Sequence, residues 1–209
     1  MEHLEDSVWN EGSAGVNSAV AFLTAVTDML QGSSSSSVNV TVKWDGAPAV
    51  FAGIDPETKK FFVATKSLFN VTPKVNYTNS DIDKNHSGQL ADKLKIALKY
   101  LPKLGINGIL QGDMMFTSGD ISSTSIDGEK HITFTPNTIT YAVPSDSDLA
   151  NIITNAKLGV IWHTKYTGKT IKDLKASFNP QVNRLARTRD VWFDDADLKD
   201  TSGSATLTK

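Results

Sequence analysis

Val38-Asn39-Val40-Thr41-Val42-Lys43-Trp44-Asp45-Gly46-Ala47-Pro48-Ala49-Val50-Phe51-Ala52 is the stretch from which the rest of this chain can be read. Val38, Val40 and Val42 alternate with polar residues at the two-residue period of a half-buried strand, and Lys43 ends it. Asp45-Gly46 supplies a turn, since glycine takes backbone angles closed to other residues and aspartate bonds back to its own turn. A new strand starts at Ala49-Val50-Phe51-Ala52, turns at Asp55-Pro56-Glu57-Thr58 and returns through Phe61-Phe62-Val63-Ala64-Thr65. The spacing predicts a strand followed by a hairpin.

Upstream, Val16, Val20, Leu23, Val26 and Leu30 recur at helical spacing over residues 14–31, and Gly32 with five serines ends that helix in a tether. Downstream, Leu90, Leu94, Leu98 and Leu101 share one face of a second helix that Ser87 can cap. Further strands are expected over residues 108–116 and 158–164, a hairpin over 131–143 turning at Pro136-Asn137, and a short helix over 147–157. Strands outnumber helices and several read as antiparallel, so the class is α+β. The layout is an N-terminal helical segment with its serine tether (1–37), a main domain (38–176), and a polar C-terminal segment (177–209) whose abrupt ending reads as a truncation.

The 209 residues suffice to bury a core without staples, and the absence of cysteine excludes disulfides, thiolate metal sites and thiol catalysis. With 21 bases against 23 acids the net charge is −2, too close to neutral to advertise a polyanion-binding surface. The imbalance is local: Glu2, Glu5, Asp6, Glu11 and Asp28 precede the first cation, Lys43. No apolar run approaches the roughly 20 residues of a membrane span, and the acidic N-terminus is unlike a signal peptide, so no membrane partner and a cytoplasmic location are expected.

A lysine at a strand end beside a glycine turn reaches a cleft while its stem is held, and it becomes a nucleophile when its ammonium pKa falls. Asp45 can orient that amine or bind a ribose hydroxyl, and Gly46 lets a nucleotide approach the backbone; equally, Asp45 and Gly46 serve as plain turn residues. Lys43-Trp44-Asp45-Gly46 resembles the first motif of the covalent nucleotidyltransferases, the superfamily of ATP-dependent DNA and RNA ligases and capping guanylyltransferases. Thr65-Lys66-Ser67 resembles the next motif, Ile109-Leu110-Gln111-Gly112-Asp113-Met114 the third, and Ile139-Thr140-Tyr141-Ala142-Val143 the aromatic strand that follows it. The run 40–70, with 108–116 and 134–144, also resembles uncharacterised proteins of large tailed bacteriophages, which implies a viral origin and a host-cytoplasm location.

The resemblance implies a ligase adenylation-domain-like (ATP-grasp-like) fold, antiparallel sheets with flanking helices around a nucleotide cleft. It implies that Lys43 forms a covalent bond to AMP, that Lys66 contacts phosphates, that Asp113 binds ribose or metal, and that Tyr141 stacks on the base. The implied cofactors are ATP and Mg²⁺ (or Mn²⁺). The implied partner is a nucleic acid with 5′-phosphate and 3′-hydroxyl ends, RNA ahead of DNA because Gln111-Gly112-Asp113 and Thr65-Lys66-Ser67 look more like RNA ligases. The departures are Leu158, which stands where the superfamily's fourth motif has a metal-binding glutamate, and 170–175, whose lysines do not match the fifth. They leave a second expectation open, a non-catalytic phage structural or interaction protein that keeps the fold. His163 reads as a hydrogen-bonded structural histidine, and Asp194, Asp195 and Asp197 beside Trp192-Phe193 read as a solvated acidic turn.

Overall fold

The computed structural model of the protein describes residues 4–31 and 44–196, so the strand expected over 38–43, Lys43 included, lies outside the described residues. The chain divides into two units, residues 1–41 with 197–209, and residues 42–196. In the first, α1 (Leu4–Glu11) and α2 (Ser13–Leu30) pack on each other. Gly12 joins them at φ +58°, where its N–H donates to Val8 O at 3.0 Å and ends α1. The helix expected over 14–31 is α2; the acidic stretch ahead of it forms α1, which its composition did not announce.

The second unit is α+β. Its main sheet has six strands in the order β2-β1-β3-β7-β8, with β9 also on β7. These are β1 (Ala49–Ile54), β2 (Phe61–Ala64), β3 (Ile109–Thr117), β7 (Leu158–Thr167), β8 (Lys175–Ser177) and β9 (Val191–Asp195). A smaller antiparallel sheet holds β4 (Ser122–Ile126), β5 (Glu129–Phe134) and β6 (Tyr141–Pro144). The helices are α3 (Asn79–Asn85), α4 (Gly88–Tyr100) and α5 (Asp148–Asn155).

The β1–β2 hairpin forms because Asp55 builds its turn: the buried carboxylate accepts from the N–H groups of Glu57 and Thr58 and from the Thr58 and Tyr77 hydroxyls. Ser87 stands at the N-terminus of α4, but its side chain makes no cap hydrogen bond, so the helix owes its place to its apolar face. Leu94 and Leu101 are fully buried on the sheet beside Val50, Ala52, Leu110, Met114, Val160 and Trp162. Each such leucine contributes roughly 2 kcal/mol of transfer free energy.

Residues of odd register on β1 and β3 point to the opposite face, because strand side chains alternate. That face carries two apolar clusters, one of Phe51, Phe62, Ala64, Leu68 and Ile109 and another of Phe116, Ile132, Phe134, Ile153 and Ile161. Two expectations are corrected here. Trp192, Phe193, Asp194 and Asp195 belong to β9, which runs parallel to β7 with Phe193 fully buried, so they form a core strand and not a solvated turn, and Asp197 lies outside the described residues. The sheet is accordingly mixed rather than wholly antiparallel, and β9 lies beyond the expected domain end at residue 176. Among the described residues no helix is long and apolar enough to cross a membrane.

Candidate functional site

Residues 44–48 run as a strap alongside β3 before entering β1. Ala47 N–H donates to Met114 O at 3.0 Å and Met114 N–H donates to Pro48 O at 3.1 Å. The strap lies so close that a Cβ at Gly46 would fall 2.5 Å from Asp113 Cβ and 3.0 Å from Met114 O. Glycine is needed here for close approach, not for a special φ. This contact brings together Gly46 and Asp113, two of the residues singled out in the sequence.

Asp45 faces the loop between β5 and β6. Its Oδ1 accepts from Asn137 Nδ2 at 3.0 Å, and its Oδ2 accepts from Thr138 Oγ1 at 2.8 Å, Thr138 N at 3.1 Å and Ile139 N at 3.4 Å. These donors, the Asn137 amide foremost, pull its pKa from 3.8 down to about 2. Asp45 N–H in turn donates to the Tyr141 hydroxyl at 2.9 Å. The Tyr141 ring stacks on Trp44 at 5.4 Å and on Phe134 at 5.5 Å. Asp45 is therefore a clasp between strap and loop, and Tyr141 the ring that buttresses it. The ladder of rings continues through Phe116 to Trp192 and has Trp44 as its other end.

Asp113 is half-buried between Ala49 of β1 and Ile161 of β7. Its neighbours on the same face come from register. Gln111 pairs with Thr164 and Gly112 with Trp162, so His163 is the extra residue of a β-bulge. Alternation lapses at the bulge, and the contact of His163 with Thr164, the partner of Gln111, sets it beside Gln111. The His163 Nδ1 lies 2.7 Å from Thr164 Oγ1, and Gln111 Oε1 accepts from the Tyr166 hydroxyl at 2.7 Å. Gln111, Asp113, His163 and Thr164 thus form a polar belt on one sheet face, with an apolar cluster on either side.

Lys66 opens a 3₁₀ turn after β2, where the Thr65 hydroxyl accepts from Ser67 N–H. The pairing of Phe51 with Ala64 puts it at the sheet end where the strap enters β1. It is exposed, and no hydrogen bond ties it to Asp45 or Asp113. Trp44 and Gln111 stood inside the quoted motifs without a role of their own, and His163, read as a hydrogen-bonded structural histidine, does bond to Thr164, at a bulge that has no signature in its local sequence.

Among the described residues no group of three or more His, Cys, Asp or Glu could hold a metal ion by itself. Two concave surfaces lie elsewhere: one of about 540 Å³ beside α5 and residues 187–192, and one of about 440 Å³ at the end of α4.

Burial holds the His163 pKa below its ordinary 6.5. The unfolded chain therefore binds a proton near pH 6.5 that the folded chain refuses, and stability present above that pH falls as the solution is acidified from 7 towards 5. His86, lowered by burial and by Lys74, adds in the same direction. Thermal unfolding across this range is expected to lose part of its pH dependence in His163→Gln, and an unchanged slope would show that the His163 ring is solvated.

A family described as of unknown function (DUF6267) matches residues 1–209. No curated protein matches the chain, and no solved structure matches it.

Proposed function

The chain belongs to this family of unknown function, DUF6267, and from the geometry of its site we propose that it is a nucleotidyltransferase of the polynucleotide-ligase kind. The observation that carries the reading is the closure of Gly46 onto Asp113, which sets the Asp45-Gly46 strap against the polar belt of the sheet. Lys43, the neighbour of Trp44 in sequence, is the nucleophile. Its neutral amine attacks the α-phosphorus of ATP in line, an N–P bond forms as the bond to the bridging oxygen breaks, and pyrophosphate and the amine proton leave. Asp113 holds the Mg²⁺ that travels with the phosphates, and Lys66 balances phosphate charge at the same sheet end. With the Tyr141 ring engaged by Trp44 and Phe134, base stacking falls to Trp44 at the end of the ladder. AMP is then passed to a 5′-phosphorylated strand, RNA ahead of DNA.

The use of Asp45 as a clasp and of Tyr141 as its buttress favours a second reading, a non-catalytic phage protein of structural or interaction type that keeps this architecture. Intact-mass measurement after incubation with ATP or GTP and Mg²⁺, then Mn²⁺, separates the two. An AMP-sized increase that vanishes in Lys43→Ala is the expected result. No increase with either nucleotide under either metal sinks the transferase reading and leaves the second.

A further inference from the structure

We propose that the cavity between α5 and residues 187–192 is a contact site for a single strand of nucleic acid. Its walls are Asn155, Arg187, Arg189, Ile152, Val191 and Trp192, with no carboxylate among its lining residues. Its volume of about 540 Å³ falls in the range that takes one small-molecule-sized unit such as a nucleotide. Both guanidiniums are anchored from one side. Arg187 Nη1 donates to Phe193 O at 2.7 Å with its charge 4.1 Å from the Phe193 ring centre, and Arg189 Nη2 donates to Asn155 Oδ1 at 3.1 Å. A guanidinium carries five N–H donors, so anchoring by one leaves a pre-organised fork of the shape that phosphate oxygens fill.

The surroundings are cationic as well. Asp190, the acid beside this wall, is bonded by Lys103 at 2.5 Å, and Lys157 and Arg189 add to the field that keeps its carboxyl ionised. Lys157 is tied to this place by its own N–H, which donates to Asp190 O at 2.7 Å. Three cations, Lys103, Lys157 and Arg189, thus act on one carboxylate, inside a chain whose net charge is −2. Phosphate alone would not explain the apolar wall. Half-buried Trp192 stacks on Phe116 at 5.9 Å and gives a flat surface beside the two arginines, the combination that single-strand binders use for a base and its backbone.

The ring ladder from Trp192 through Phe116, Phe134 and Tyr141 to Trp44 connects this wall to the strap in four contacts of 4.9–5.9 Å. An acidic peptide would match the charge and leave the indole unused. The inference stands apart from the transferase reading, since it concerns binding without chemistry.

The test is fluorescence anisotropy of the full chain with dye-labelled single strands of about 12 nucleotides, RNA and DNA, between about 50 and 200 mM salt. Contacts from Arg187 and Arg189 predict a slope of log K against log salt of about −1.4. Arg189→Glu is expected to weaken binding about tenfold and flatten the slope, Trp192→Leu to weaken it about tenfold with the slope kept, and Arg184→Glu, outside the cavity, to do neither. Absence of binding by the unaltered protein overturns the proposal. So does equal weakening by Arg184→Glu and Arg189→Glu, or displacement of the strand by AMP or polyglutamate at equal phosphate or carboxylate concentration. Failure of strand binding with the AMP adduct intact would refute this site alone; loss of the adduct with strand binding intact would refute the transferase alone.

Discussion

Alanine at Gly46 is expected to slow formation of the nucleotide adduct at least about a hundredfold while the sheet stays folded. The new methyl would stand 2.5 Å from Asp113 Cβ and 3.0 Å from Met114 O, neither of which can retreat, because both belong to the paired backbone of β3. The strap must lift instead. Lifting stretches the Ala47 to Met114 hydrogen bond and carries Trp44 and Asp45 away from the polar belt. A displacement of about 1 Å at a reacting group costs on the order of 10²-fold in rate. Adduct formation followed by mass against time reads the effect, with near-ultraviolet circular dichroism reporting the Trp44–Tyr141 stack. Gly119→Ala, where a Cβ meets nothing within 4 Å, is the matched control. Wild-type adduct rates in Gly46→Ala would detach the strap from the chemistry.

The second large effect is on stability. Gly159 lies on β7 opposite Phe116, and a Cβ there would sit 2.2 Å from a carbon of the Phe116 ring. That ring cannot swing aside, since it is 1% exposed and wedged against Phe134 at 4.9 Å and Trp192 at 5.9 Å. Overpacking of this severity costs about 3 kcal/mol, the upper part of the usual range. For a domain of this size the unfolding midpoint should fall by roughly 6–12 °C, read by thermal circular dichroism. Phe116→Leu, which opens the space, should make the double variant less destabilised than the two single costs together. Strict additivity would show that the clash is relieved some other way.

The pattern along the chain reports what a residue's near neighbours impose. The β1–β2 hairpin, α4, β3 and β7 were legible because an apolar period of two or near four, bounded by turn residues, is a local property that survives any packing. What had no local period was passed over. The β4 strand is Ser122-Ser123-Thr124-Ser125-Ile126, exposed throughout, and holds only because β5 lies beside it. The β9 strand carries Asp194 and Asp195 at its end and read as a turn, since its parallel pairing with β7 comes from residues more than thirty positions away.

The site divides along the same line. Lys43, Asp45, Gly46 and Asp113 were nameable from order and spacing; Gly46 packs against Asp113, while the Asp45 carboxylate turns to the loop at 137–139 and Lys43 lies outside the described residues. The partners of Asp45 lie 92 to 94 residues downstream, and nothing near Asp45 distinguishes a carboxylate that will clasp a loop from one that will face a ligand. His163 stands beside Thr164 at a bulge where the register of β3 against β7 slips by one residue, a slip that its local sequence does not announce. The sequence by itself determined where chain can extend, coil and turn, and which residue types stand in a motif. The tertiary structure alone decided which of them share a face, because pairing and register are settled by burial summed over strands far apart in the chain.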